Sequence, residues 1–201
     1  MTVISFLASH QGSLAQAVID ACASGRVHGS VGVVISNNGA SVVLGRARAA
    51  GLTTAHLSSA THPAPEHLDR AILDTLEAAG TDLVVLAGYM KKVGPQTLSA
   101  YAGRIINVHP ALLPRHGGHG MYGAAVHRAV ALAGDVVSGA TVHLVTAEYD
   151  RGPILDQHTV DLEPGDDAHV VEAKVRAVER ELLVDVVARF AATGGFTVPT
   201  T

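Results

Sequence analysis

Residues 104–114 read Arg104-Ile105-Ile106-Asn107-Val108-His109-Pro110-Ala111-Leu112-Leu113-Pro114, and the reading of this stretch decides the rest. Ile105 and Ile106 are apolar and β-branched, suited to a strand covered on both faces. Alternate residues of an extended chain leave the same face, so Asn107 and His109 project together with Val108 opposite. Pro110 has no N–H for a ladder and ends the strand, and Pro114 closes a short apolar loop. An amide and a titratable imidazole thus stand side by side where a strand runs out. Ligands of open α/β sheets gather outside the carboxyl ends of the strands. Taken alone, the stretch also fits a strand-end Asn and His that merely satisfy nearby backbone groups.

Upstream, the pattern alternates strand and helix. Val3 to Ala8 is a strand, Ser9 to Ser13 a small-residue turn with Ser13 as candidate N-cap, and Leu14 to Ala23 a helix. Ser30 to Ser36 and Thr53 to Leu57 read as strands, with a helix from Ser41 to Ala50 between them. Glu66 to Ala79 is an amphipathic helix carrying Leu68, Ile72, Leu73 and Leu76 on one face. Asp82 to Ala87 is the most strand-like run, followed by a short helix from Pro95 to Tyr101. This order predicts an α/β fold with a doubly wound, mostly parallel sheet and right-handed crossovers.

Downstream the character changes. Arg115 to Gly123 is glycine-rich, Ala124 to Ala133 helical, and Ser138 to Thr146 and Ile154 to Val160 read as strands of an antiparallel portion. Asp166 to Phe190 is a long helix and Ala191 to Thr201 a loose tail, so residues 1–190 are expected to form one domain.

Composition narrows the function. At 201 residues, 48% hydrophobic and 16% charged, the chain has the makings of a packed core. A net charge of −4 offers no basic stripe for nucleic acid. Small anions remain possible ligands, since helix N-termini bind them without net positive charge. The single cysteine, Cys22, excludes an intramolecular disulfide and a thiolate zinc site. His109, His116, His119 and His127 match no familiar ligand spacing, so no metal is expected. The N-terminal stretch lacks a secretory pattern and no apolar run reaches the roughly 20 residues of a membrane span. A cytoplasmic protein is the expectation.

Asn107-x-His109-x-x-Leu112-Leu113-Pro114, followed by Asp150-x-Gly152-Pro153-Ile154, resembles the folate-dependent formyltransferase family. Leu86-Ala87-Gly88-Tyr89-Met90, the glycines from Gly118 to Gly123, and Val126-His127 extend the resemblance over nearly the whole chain. It implies formyl transfer from 10-formyltetrahydrofolate, as co-substrate, to the amine of a small acceptor, with glycinamide ribonucleotide as first expectation. The chemistry asks for donors toward a developing oxyanion and a base for the amine proton. By resemblance Asn107 and His109 are the donors, and Asp150 assists proton transfer and holds His109 charged. The same likeness implies that Leu86, Tyr89, Met90, Lys91, Lys92, Val93, Thr146 and Glu148 bind the folate. It further implies that Gly12, Ser13, Gly88, Met90, Pro110 and Glu179 bind the acceptor, with His10 as a replacement phosphate ligand. His143 is either near the site or a satisfied strand histidine.

The acceptor half departs from the family pattern. Its phosphate loop resembles Ser-Gly-x-Gly-Ser-Asn, whereas this chain has Ser9-His10-Gln11-Gly12-Ser13-Leu14. A side chain replaces a glycine where backbone must approach an anion, and leucine removes polar capacity. A paralogue transferring a formyl or other acyl group to a different amine, phosphorylated or not, in a specialised pathway is therefore the alternative, and a non-catalytic folate- or nucleotide-binding protein the second. Partners are expected to be small molecules, and the protein a monomer or homodimer.

Overall fold

The computed structural model describes residues 1–196. Strands β1 (Thr2–Ala8), β2 (Gly29–Ser36), β3 (Thr53–His56), β4 (Leu83–Ala87) and β5 (Ile105–His109) pair in parallel. Strands β6 (Val137–Leu144) and β7 (Ile154–Asp161) add on antiparallel, giving a seven-stranded sheet ordered β3-β2-β1-β4-β5-β6-β7. The doubly wound, mostly parallel sheet with an antiparallel C-terminal portion is the architecture the strand–helix alternation predicts.

Helices α1 (Ser13–Ala23), α2 (Val42–Ala49), α5 (Ala124–Ala133) and α6 (Ala168–Thr193) cover one face; α3 (Pro65–Ala78) and α4 (Pro95–Ala100) cover the other. With helices on both sides, the central strands are apolar on both faces, and all five residues of β4 are buried. The strand order reverses between β1 and β4, so the carboxyl ends of β1, β4 and β5 open onto one crevice. No helix among the described residues is long and apolar enough to cross a membrane.

Two expectations change. Ser13 is not the N-cap of α1: Gly12 takes that place at φ 67, and Ser13 is the first helical residue. Only glycine serves there, because a Cβ on Gly12 would run into the Val43 side chain of α2. The long helix also does not stop at Phe190. Its buried stripe through Val186, Val187 and Phe190 carries it to Thr193, where Gly194 at φ 74 ends it. Phe196 then packs on Phe190, with ring centroids 4.8 Å apart. Part of the expected loose tail is thus ordered, and its remainder, 197–201, lies outside the described residues.

Candidate active site

Register in the sheet builds the site. The antiparallel pairing of β5 with β6 sets His143 opposite Asn107 and Thr141 opposite His109. Asn107 Nδ2 lies 3.2 Å from His143 Nε2, and His143 Nδ1 lies 2.9 Å from the Leu144 carbonyl oxygen. A carbonyl can only accept, so Nδ1 carries the proton. In the neutral ring Nε2 then accepts from the Asn107 amide, whose second N–H stays free. His143, left open by the sequence, lines the cleft in contact with Asn107.

Asp150 enters from the turn between β6 and β7 with φ 54, a left-handed conformation uncommon outside glycine. Its Oδ1 is 3.5 Å from His143 Nε2, its Oδ2 is 3.5 Å from His109 Nδ1, and Oδ2 accepts the Gly118 N–H at 2.9 Å. Burial pushes its carboxyl up, but the neighbouring His143 and the Gly118 N–H outweigh that, and it ends below the usual carboxylate range. Gly152 makes the turn possible, since a Cβ there would strike the Leu144 carbonyl.

His109 is only 2% exposed, and its Nε2 donates to the His116 carbonyl at 2.8 Å. Burial depresses the imidazole below its ordinary value; Asp150 and the His116 carbonyl pull it up, but by less. The expectation that Asp150 holds His109 charged is thereby corrected: in the resting site desolvation outweighs the carboxylate. The resting ring carries its proton on Nε2 and turns the Nδ1 lone pair toward Asp150. A proton arriving between them would convert two facing acceptors into an ion pair. His109 also stands behind the cleft surface, which is formed by Asn107, His143 and Asp150.

The cleft beside these groups gathers Leu86, Tyr89 and Val93 from β4 and the segment after it, with Val145 from the end of β6. Lys91, Lys92, Thr146, Glu148 and Tyr149 also line it, and Lys92 Nζ sits 5.7 Å from the Tyr149 ring centroid. Burial pushes the Tyr89 hydroxyl up to about 12. Apolar walls with a few polar groups at one edge suit a flat heteroaromatic ligand.

Met90, expected among the folate-binding residues, is not part of the cleft lining. Gly88 turns the chain at φ 70, Tyr89 enters the cleft, and Met90 is left 40% exposed with its N–H bonded to Ser9 Oγ at 2.8 Å.

The residues expected to bind an acceptor do not share that cleft. Gly12 is buried beneath α2, and His10 and Ser13 are exposed beside it at the end of β1. Leu14 points into the core at 8% exposure, so it offers nothing to a ligand. Gly88 and Pro110 sit just past the ends of β4 and β5. Glu179 lies part-buried on α6, and burial pushes its carboxyl up to about 7. Among the described residues no group of His, Cys, Asp or Glu is arranged to hold a metal ion.

Residues 2–187 match the family model described as formyl transferase. The chain is 37% identical to phosphoribosylglycinamide formyltransferase of Escherichia coli strain K12, over 94% of this chain and 86% of that one. To the protein of that name from Mycobacterium tuberculosis H37Rv it is 39% identical, over 94% and 84%. The crystal structure of glycinamide ribonucleotide transformylase 1 from Symbiobacterium toebii superposes with a TM-score of 0.89 at 38% identity, covering 96% of this chain and 88% of that one.

Proposed function

The chain belongs to the formyl transferase family, and from that premise we propose that it transfers a formyl group from 10-formyltetrahydrofolate to the amine of glycinamide ribonucleotide. The observation that carries the reading is the junction of an oriented amide, Asn107, with a carboxylate held between two imidazoles, at the floor of a part-apolar cleft.

The folate supplies the formyl carbon, and this chain's residues do the rest. Leu86, Tyr89, Val93 and Val145 sandwich the heteroaromatic ring, and the backbone around Thr146 and Glu148 meets its polar edge. The free N–H of Asn107 donates to the formyl oxygen as it gains charge while the amine adds. A fixed donor of this kind is worth on the order of 10²–10³ in rate. Asp150, ionised at rest, and the Nδ1 lone pair of His109 take up the proton the amine sheds. The same pair returns it to the departing folate nitrogen, which restores the resting site.

The altered loop favours a second reading of the acceptor alone. With His10 where an anion-binding glycine would stand and Leu14 buried, the α1 end departs from the family's phosphate loop, and this is what a second reading with an amine without phosphate rests on. The deciding experiment mixes the protein with 10-formyltetrahydrofolate and glycinamide ribonucleotide and follows release of the deformylated folate. Turnover in the ordinary range, roughly 1–10³ s⁻¹, is expected. Folate binding without turnover would reject this acceptor and favour the second reading.

A further inference from the structure

Segment 115–118 touches both proton-handling residues, and does so through backbone alone. The His116 carbonyl accepts the Nε2–H of His109, and the Gly118 N–H donates to Asp150 Oδ2. His116 adopts φ 53, and a non-glycine residue keeps that conformation only where its surroundings hold it.

The holder is one carboxylate. Asp135 follows Gly134, the αL residue that ends α5, and its side chain is 8% exposed. Its Oδ1 accepts from Arg115 Nη2 at 2.5 Å, and its Oδ2 lies 2.7 Å from His116 Nε2. Burial raises its carboxyl, but the hydrogen bonds from His116 and Arg115 more than reverse that. Two consecutive side chains of the segment are therefore tied to a single group outside the cleft.

We propose that Asp135 is a positioning residue for the transfer: by clamping Arg115 and His116 it aims the His116 carbonyl at His109 and the Gly118 amide at Asp150. This role rests on the formyl-transfer reading for its consequence in rate, but not for its consequence in geometry. Asp135 fixes the tautomer of His109 by holding in place the acceptor that its Nε2–H requires. Releasing the clamp lets the ring exchange its proton between nitrogens and lets the Asp150 carboxylate swing.

The test uses Asp135→Asn, which keeps the shape and one acceptor, together with Asp135→Ala and His116→Ala. Nitrogen-15 NMR of the ring nitrogens, without substrate, is expected to report a fixed Nε2–H tautomer for His109 in the wild type and averaged tautomers in the alanine variants. In turnover, kcat is expected to fall about tenfold or more while both KM values stay within about twofold, since displaced reacting groups slow chemistry more than binding. The double variant Asp135→Ala/His116→Ala is expected to be no slower than either single one, because both act through one element. An unchanged His109 signal in Asp135→Ala, or additive losses in the double variant, would overturn the proposal. A lower melting temperature with kcat and tautomer intact would likewise reduce the clamp to a structural one. If the wild type turns over no glycinamide ribonucleotide, the acceptor reading fails, and the His109 signal still decides this one.

Discussion

Asn107 Nδ2 lies 3.2 Å from His143 Nε2, and the other ring nitrogen, 2.9 Å from the Leu144 carbonyl, decides which way that amide faces. Because Nδ1 must donate to Leu144, Nε2 of the neutral ring accepts, and the Asn107 nitrogen rather than its oxygen turns toward His143. The second N–H is then presented to the cleft. The orienting residue sits on β6, a strand laid beside β5 by antiparallel pairing.

Removing the orienter leaves Asn107 present but free to rotate. His143→Ala is expected to lower kcat by about 10- to 10²-fold, somewhat less than the on-the-order-of 10²–10³ expected for Asn107→Ala, which deletes the donor itself. Steady-state kinetics of the two variants and of their combination check this. A double variant no slower than Asn107→Ala alone would fit His143 acting through Asn107, whereas multiplied losses would separate them.

His109 is depressed by burial and works as a neutral ring, so activity depends on keeping Nδ1 unprotonated. The acid limb of kcat/KM is therefore expected below the ordinary imidazole value of about 6.5, with rate lost as pH falls. Asp150→Asn removes an influence that raises the His109 value, so the limb of the residual activity is expected to move lower still. Since the two groups titrate as a pair, the measured value belongs to both. A limb above 6.5 would mean that the carboxylate wins over burial.

Glu179 acts in the opposite direction on stability. Its carboxyl is raised by burial from 4.5 to about 7. The folded chain thus holds a proton that the unfolded chain has already released. The contribution is fully present below pH about 4.5 and is lost as pH rises through about 7. Glu179→Gln is expected to raise the melting temperature at pH 8 and leave it nearly unchanged at pH 4.5. Melting curves over that range check it, and a gain equal at both pH values would contradict the assignment.

Gly152 lets the Asp150 turn press against β6. Its Cβ would strike the Leu144 carbonyl, which is backbone and cannot rotate away. Gly152→Ala is expected to destabilise by about 1–3 kcal/mol, the usual cost of overpacking. It should also lower kcat, because Asp150 moves with the turn. A thermal melt paired with kinetics separates the two effects, and full activity in a destabilised variant would show that Asp150 tolerates the shift.

The sequence by itself determined the sheet and the candidate residues of one half of the site. The apolar run of β4, the proline after His109 and the glycine stops between elements are local signals, and local physics places strand ends where Asn107 and His109 must project. Asp150 was reached by the family resemblance that Asp150-x-Gly152-Pro153-Ile154 carries.

Only the tertiary structure decided what those residues face. His143 became a partner of Asn107 through antiparallel register, which relates residues 36 apart in the chain. Asp135 reached His116 by closing a loop over α5, and no period or motif announces such a contact. The charge state of His109 turned on how deeply it is buried, a property of the assembled layers and not of its neighbours in sequence. Met90 left the cleft because a single left-handed glycine, Gly88, rotates the chain beyond β4. Periodicity carries which face a residue leaves, whereas solvent exclusion and long-range pairing carry what it meets there, and those exist only once the chain has folded.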